Sequence, residues 1–162
     1  MIRRCTETDL PAIGAIINAA AQAYRDVIPA DCWHEPYMTQ AELIAATDAG
    51  VAFWGWQEAD HLTGVMGLQD VADVTLIRHA YVHPAAQHRG IGGALLTSLA
   101  AKAPGPLLVG TWAAADWAIR FYRRQGFRLV PDAETDHLLQ TYWTVPPRQR
   151  ECSVVLAREL AP

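Results

Sequence analysis

The segment Gln87-His88-Arg89-Gly90-Ile91-Gly92-Gly93-Ala94-Leu95 constrains this chain more than any other. It follows an apolar run from Val74 to Val82 and opens a helical pattern from Leu95 to Ala101. A strand, a glycine-rich turn and a helix start, in that order, make an anion cradle. Glycine lets the backbone approach a ligand with no Cβ in the way. The unpaired N–H groups and the dipole at a helix N-terminus then favour negative charge. A phosphorylated cofactor is the expected occupant.

Two common phosphate loops fail on named residues. A P-loop needs G-x-x-x-x-G-K-[ST], with its lysine on the terminal phosphates. Here the first lysine after the glycines is Lys102, a whole helix away. A dinucleotide loop needs G-x-G-x-x-G and an acidic residue about 20 positions later. Gly90-x-Gly92 begins that pattern, but position 95 is Leu, and no Asp or Glu lies between Asp73 and Asp116.

A third pattern fits. Gln87-x-x-Gly90-x-Gly92 resembles the Q/R-x-x-G-x-G/A signature of the GNAT superfamily of acetyl-CoA-dependent N-acetyltransferases. Tyr81-Val82-His83-Pro84 resembles that family's strand end, an apolar residue followed two positions on by proline. Ala118-Ile119-Arg120-Phe121-Tyr122-Arg123-Arg124-Gln125-Gly126-Phe127 is similar to the family's A-x-x-F-Y-x-x-x-G-F segment. Arg3 to Ile13 is similar to its opening strand and helix. The matches span most of the chain, with residues 24–50 and 132–150 the least constrained.

Composition sets outer bounds. The 162 residues suit one domain, residues 1–162, and the 51% hydrophobic content suits a packed core. No apolar run approaches the roughly 20 residues of a membrane span. The N-terminus has no apolar secretory stretch, and three cysteines without a C-x-x-C pair suit a reducing compartment, so a cytoplasmic location is expected. Cys5 and Cys152 fall in apolar strands and read as buried free thiols. A net charge of −4 excludes a general nucleic-acid binder, and the histidines and Cys32 lack metal-ligand spacing, so no metal is expected.

The elements expected along the chain are a strand over 2–6, a helix from Leu10 to Ala23 and an irregular stretch to Thr39. A helix over Gln40 to Ala49 closed by Gly50, and a hairpin of strands 51–57 and 61–69, come next. The strand Val74 to Val82, a helix from Gly90 to Lys102, a strand over 107–111 and a helix from Ala114 to Gln125 follow. Last come strands 127–130 and 151–157, with a short helix between them near Glu134 to Tyr142. This is α/β with a mixed sheet. The resemblance implies a single GNAT-like domain: about seven strands flanked by helices, with strands four and five splayed to hold the cofactor.

The resemblance also supplies a reaction, acetyl transfer from acetyl-CoA to an amine. Residues 88–93 and Ala94 at the helix start would hold the pyrophosphate, with Gln87, His88, Arg89, Gly90, Ile91, Gly92 and Gly93 forming the loop. The pantetheine arm would pair with the freed edge at Ala80, Tyr81 and Val82 like an added strand. Arg123 or Arg124 would meet phosphate, unless those arginines only coat a solvated face. Tyr122 matches the family tyrosine. A phenol near pKa 10 keeps its proton at neutral pH and can give it to a departing thiolate. Without the motif, Tyr122 reads as a core aromatic.

The base is less defined. The glutamate of some family members falls at Leu76, which cannot take a proton. His79 is the candidate, on a pKa near neutrality; the alternative is a strand histidine bonded to backbone. Strict alternation puts Thr75, Ile77, His79 and Tyr81 on one face and Val74, Leu76, Arg78 and Val82 on the other. Where the family often has Asn, seven residues before the tyrosine, this chain has Ala115. No cysteine lies in a motif that would place it at a thioester, so direct attack is expected.

Tyr24, Trp33, His34 and Tyr37 gather in the first helix and the loop after it, and six tryptophans is a high count. Aromatic walls suit a small, partly apolar amine. The expected function is therefore acetylation of a small-molecule primary amine. A protein or peptide amine, and a non-catalytic acyl-CoA-binding module, are the alternatives. The resemblance also implies a homodimer for many members, and the strand from Glu151 to Ala157 could pair in one.

Overall fold

The computed structural model describes residues 1–159. Its elements are β1 (Ile2–Arg4), α1 (Leu10–Ala21), α2 (Gln40–Asp48), β2 (Ala52–Glu58), β3 (His61–Val71), β4 (Val74–Val82), α3 (Ile91–Ala100), β5 (Leu107–Trp112), α4 (Asp116–Arg124), β6 (Arg128–Leu129), α5 (Asp132–Tyr142), α6 (Pro147–Glu151) and β7 (Ser153–Arg158). Seven strands form one sheet in the order β1-β2-β3-β4-β5-β7-β6, and every pairing is antiparallel except β4–β5. The mixed seven-stranded α/β sheet is the expected one.

Helices cover both faces. On one face Leu95, Leu96 and Leu99 of α3 are fully buried against Met66, Ile77 and Val109, with Tyr122 and Phe127 beside them. Each such side chain contributes about 1.5–3 kcal/mol through lost water contact. On the other face Ile13, Ile16 and Ile17 of α1 and Leu43 of α2 cover Val51, Phe53 and Val65. Leu139 of α5 covers Leu76, Leu108 and Val155 further along. The start of α1 is tied to β1 by Asp9, which accepts two bonds from Arg3 at 2.8 and 2.9 Å and one from the Thr6 N–H at 2.8 Å. The Arg3 guanidinium pulls the Asp9 carboxyl down to about 2.

The structure corrects several expectations. The Gly90 to Lys102 helix is Ile91–Ala100, with Gly90 as its left-handed cap at φ 82°. The α4 helix starts at Asp116 rather than Ala114, α5 starts at Asp132 rather than Glu134, and β6 has two residues. Helix α6, unanticipated, begins with Pro147 in its first turn, where a missing N–H costs nothing. Cys5 and Cys152 sit just outside β1 and β7 and are half-buried. Strand β7 lies inside the sheet, paired with β5 along its length and with β6 at Leu156 and Ala157. On the side away from β5, the strand expected to pair in a dimer is occupied over Val155 to Ala157.

The main departure is in β4. Between the pairs Val65–Tyr81 and Gly67–Arg78, β4 holds one residue more than β3. His79 takes up this bulge with φ 52°. Strict alternation ends there. Ile77 packs against the α3 leucines, whereas Tyr81 packs with Val65 and α1 on the opposite face.

Candidate functional site

Two features meet at the middle of the sheet. Strands β4 and β5 pair only over Thr75–Ile77 and Leu107–Val109. Beyond these the strands part, and a cavity of about 70 Å³ opens between them, bordered by His79, Ala80, Tyr81, Gly110, Thr111 and Tyr122. This is the splay anticipated between strands four and five, with Ala80 and Tyr81 on it as expected.

The glycine loop stands directly after β4. The His83 N–H donates to Thr63 O at 2.8 Å, which prolongs the β3 pairing, and the Gln87 amide donates to Val82 O at 3.0 Å, which folds the loop back on the strand. His88 and Gly90 adopt left-handed conformations at φ 63° and 82°. Ala94 is the first N–H bonded back to the cap, onto Gly90 O at 3.0 Å. The N–H groups of Ile91, Gly92 and Gly93 therefore have no acceptor within the helix. The glycines serve two purposes. A Cβ on Gly90 would meet nothing within 4 Å, so the space over the cap is open. A Cβ on Gly92 would lie 3.5 Å from the Phe121 ring, and one on Gly93 3.3 Å from the Gln125 side chain. The Gly93 position is tight, so that glycine lets α3 approach the end of α4, whereas the Gly92 position is at ordinary contact. An anion at the cap fits these residues.

Other cofactor candidates separate. Arg89 is engaged by Glu58 of β2, with bonds of 2.6 and 3.2 Å, and so clamps the loop to the hairpin. Arg123 is exposed on α4, and among the described residues no carboxylate pairs with it. Arg120 and Arg124 are exposed too.

Tyr122 reaches the crevice from α4. Its ring packs edge-on against Phe121 at 5.0 Å and Phe127 at 5.5 Å. Burial raises its pKa well above that of a free phenol. The hydroxyl thus holds its proton at any working pH. His79 also borders the crevice, stacked 6.0 Å from Phe53, with its buried Nε2 lacking a protein partner among the described residues. Burial, with a smaller push from the Arg78 charge, drives its pKa down to about 3. The near-neutral value anticipated for it does not hold, because the ring leaves water and gains no carboxylate.

On the α1/α2 side a groove of about 980 Å³ leads to the same crevice. Tyr24, His34 and Tyr37 line it, and Trp33 stacks on Tyr37 at 5.9 Å. Tyr24 lies 5.3 Å from Tyr37, and its hydroxyl donates to that of Tyr81 at 3.4 Å. Trp112 donates its indole N–H to the Tyr37 hydroxyl at 2.8 Å. The four aromatic residues expected around an acceptor are therefore gathered in one cluster. Trp143 forms the facing wall and lies over Gly110.

Sequence reasoning missed three groove residues. Arg78 lines the floor and donates to Gln69 at 2.7 Å. Its signal is visible in retrospect: a lone cation inside the apolar run of β4. Asp31 and Arg148 pair at 2.7 Å between the α1–α2 connection and α6, joining the two walls. Nothing local marks that contact, because the partners are 117 residues apart. Among the described residues no group of three or more metal-ligating side chains is close enough to hold an ion, and no helix is long and apolar enough to cross a membrane.

Comparison with known proteins agrees with this geometry. Residues 49–129 match the acetyltransferase (GNAT) domain family. The chain is 28% identical over 145 residues to the peptidyl-lysine N-acetyltransferase YiaC of Escherichia coli, covering 88% of this chain and 93% of that protein. Its fold is similar to that of the PaiA N-acetyltransferase from Thermoplasma acidophilum in complex with coenzyme A (TM-score 0.72, 16% identity, 99% and 98% of the two chains). It is also similar to a ribosomal-protein-alanine N-acetyltransferase from Brucella melitensis (TM-score 0.66, 21% identity, 99% of each chain). With the splayed strands, the capped loop and the family match in agreement, the chain belongs to the GNAT superfamily of acetyltransferases, whose co-substrate is acetyl-CoA.

Proposed function

We propose that this acetyltransferase modifies the primary amine of a small molecule held in the aromatic groove. The observation that carries this reading is the aromatic cluster on the groove wall, where Tyr37 stacks with Trp33 and His34 and lies 5.3 Å from Tyr24. The walls of Tyr24, Tyr37 and Trp33 offer faces for an apolar body or a cationic head.

The residues divide the work. The free N–H groups of Ile91, Gly92 and Gly93 would hold the pyrophosphate, with Arg123 supplying charge from α4. The unpaired β4 edge at Ala80 to Val82 would take the pantetheine arm. Bound acetyl-CoA supplies the thioester that the amine attacks. The Tyr122 hydroxyl holds a proton in the crevice and is the donor to the leaving sulfur. His79 Nε2 is neutral and unpartnered, so it would relay a proton toward the groove rather than store one.

The test is CoA release with a panel of small amines and with lysine-containing peptides. A kcat/KM at least tenfold higher for a small amine supports the reading; the reverse order overturns it. The second reading, a protein lysine, rests on the 28% identity to YiaC.

A further inference from the structure

We propose that Arg78 is a carboxylate-binding subsite in the acceptor groove, so that the acceptor is an amino carboxylate: an amino acid or a short ω-amino acid. The inference rests on the small-amine reading and narrows its substrate class.

The first observation is an unmatched cation. Arg78 is half-buried at the groove floor and makes one side-chain hydrogen bond, from Nη1 to Gln69 Oε1. Among the described residues no carboxylate lies within ion-pair distance of it; of the other arginines without one, Arg4, Arg120, Arg123 and Arg124 are exposed, and half-buried Arg158 donates to Gln125 O. A guanidinium offers five N–H donors in a fixed fork. Most of Arg78's donors therefore have no protein acceptor. Burial without compensation disfavours its charged form, which lowers its pKa. Its free donors are open to the groove, where a ligand carboxylate can take the place of water.

The second observation is that the fork is aimed. The Gln69 amide N–H donates to Ala49 O at 2.9 Å, leaving Oε1 for Arg78. The guanidinium is anchored at one nitrogen, and the residue lines the groove. The β4 bulge at His79 then brings Tyr81 to the same side, so that Arg78, His79 and Tyr81 all line the groove.

The third observation is position. Arg78 follows Ile77, the last β4 residue paired with β5. Its strand position is thus the mouth of the crevice where Tyr122 and His79 stand. Arg78 shares its groove with His79 and Tyr81, which also border the crevice. The two carboxylates on the groove wall are occupied elsewhere. Asp31 is paired with Arg148, and Glu42 accepts the Thr39 N–H at 2.7 Å as part of a helix cap. Neither neutralises Arg78. A bidentate carboxylate satisfies the fork in a way that an alcohol or simple alkylamine cannot.

The experiment compares amino acids and ω-amino acids of two to six carbons with their carboxamides as acceptors. The native protein should favour the acids by about 10- to 100-fold in kcat/KM. Arg78→Gln should raise KM for the acids by a similar factor, leave kcat within about threefold, and leave the carboxamides unchanged. Arg78→Lys should restore part of the loss. Equal kcat/KM for acid and carboxamide in the native protein overturns the subsite, as does an equal loss on both in Arg78→Gln. Quenching of tryptophan fluorescence by the same pairs reads binding without turnover. Absence of turnover with every amine would defeat the small-amine reading. The acid–carboxamide difference in quenching would then decide the subsite separately.

Discussion

Tyr122 and His79 border one crevice, and burial acts on them in opposite senses. It raises the phenol and lowers the imidazole, so both are neutral across the working range. Tyr122→Phe removes the donor and nothing else of size. Its kcat should fall about 100-fold while acetyl-CoA affinity stays within twofold; an unchanged kcat would remove Tyr122 from the chemistry. His79 makes a separate mark on stability. In the unfolded chain an imidazole titrates near 6.5, and in the fold it titrates at about 3. Between those values the unfolded state binds more protons, so stability is full above pH 6.5 and falls as pH drops toward 3. Asparagine tolerates the left-handed backbone at this position and does not titrate. His79→Asn should therefore flatten the urea midpoint between pH 6.5 and pH 4, where the native protein slopes.

At the scale of elements, the start of α3 separates two uses of glycine. Gly90 needs its left-handed φ of 82°, whereas Gly92 is helical and its Cβ position lies at an ordinary 3.5 Å from Phe121. Gly90→Ala should cost about 1 kcal/mol and lower Tm by about 2–4 °C. Gly92→Ala should leave Tm unchanged or raised, and calorimetry of the two variants compares them directly. The strand–loop–helix unit was legible in sequence because its determinants are adjacent: an apolar run, a turn glycine and a helical repeat. The block from Ala118 to Phe127 was legible for the same reason. The β4 bulge was not. An inserted residue leaves no local mark when its neighbours, Arg78 to Val82, still alternate plausibly. Alternation therefore put Tyr81 on the Ile77 face, away from the groove that it lines together with Arg78. The same reading placed Tyr24, Trp33, His34 and Tyr37 together correctly, because they share a short stretch before α2.

Across the whole molecule, long-range contacts decide what local reasoning could not. Asp31 meets Arg148 only once α1, α5 and α6 are in place, and β7 becomes an inner strand only because β6 returns to it. The parting of β4 and β5 has a further consequence. In an ordinary sheet the outer strands exchange their amide hydrogens first and the centre last. Here the N–H groups of 78–82 and 110–112 that point into the gap have no strand to shield them, although they sit mid-sheet. Hydrogen–deuterium exchange should find a fast-labelling seam through the centre of the protein. Acetyl-CoA should slow that seam at 78–82 more than at 110–112, because the pantetheine arm is assigned to the β4 edge. Uniform slow labelling across β4 would contradict it. Fast labelling that acetyl-CoA slows would make isotope uptake a time-resolved trace of a seam that closes only when its donor arrives.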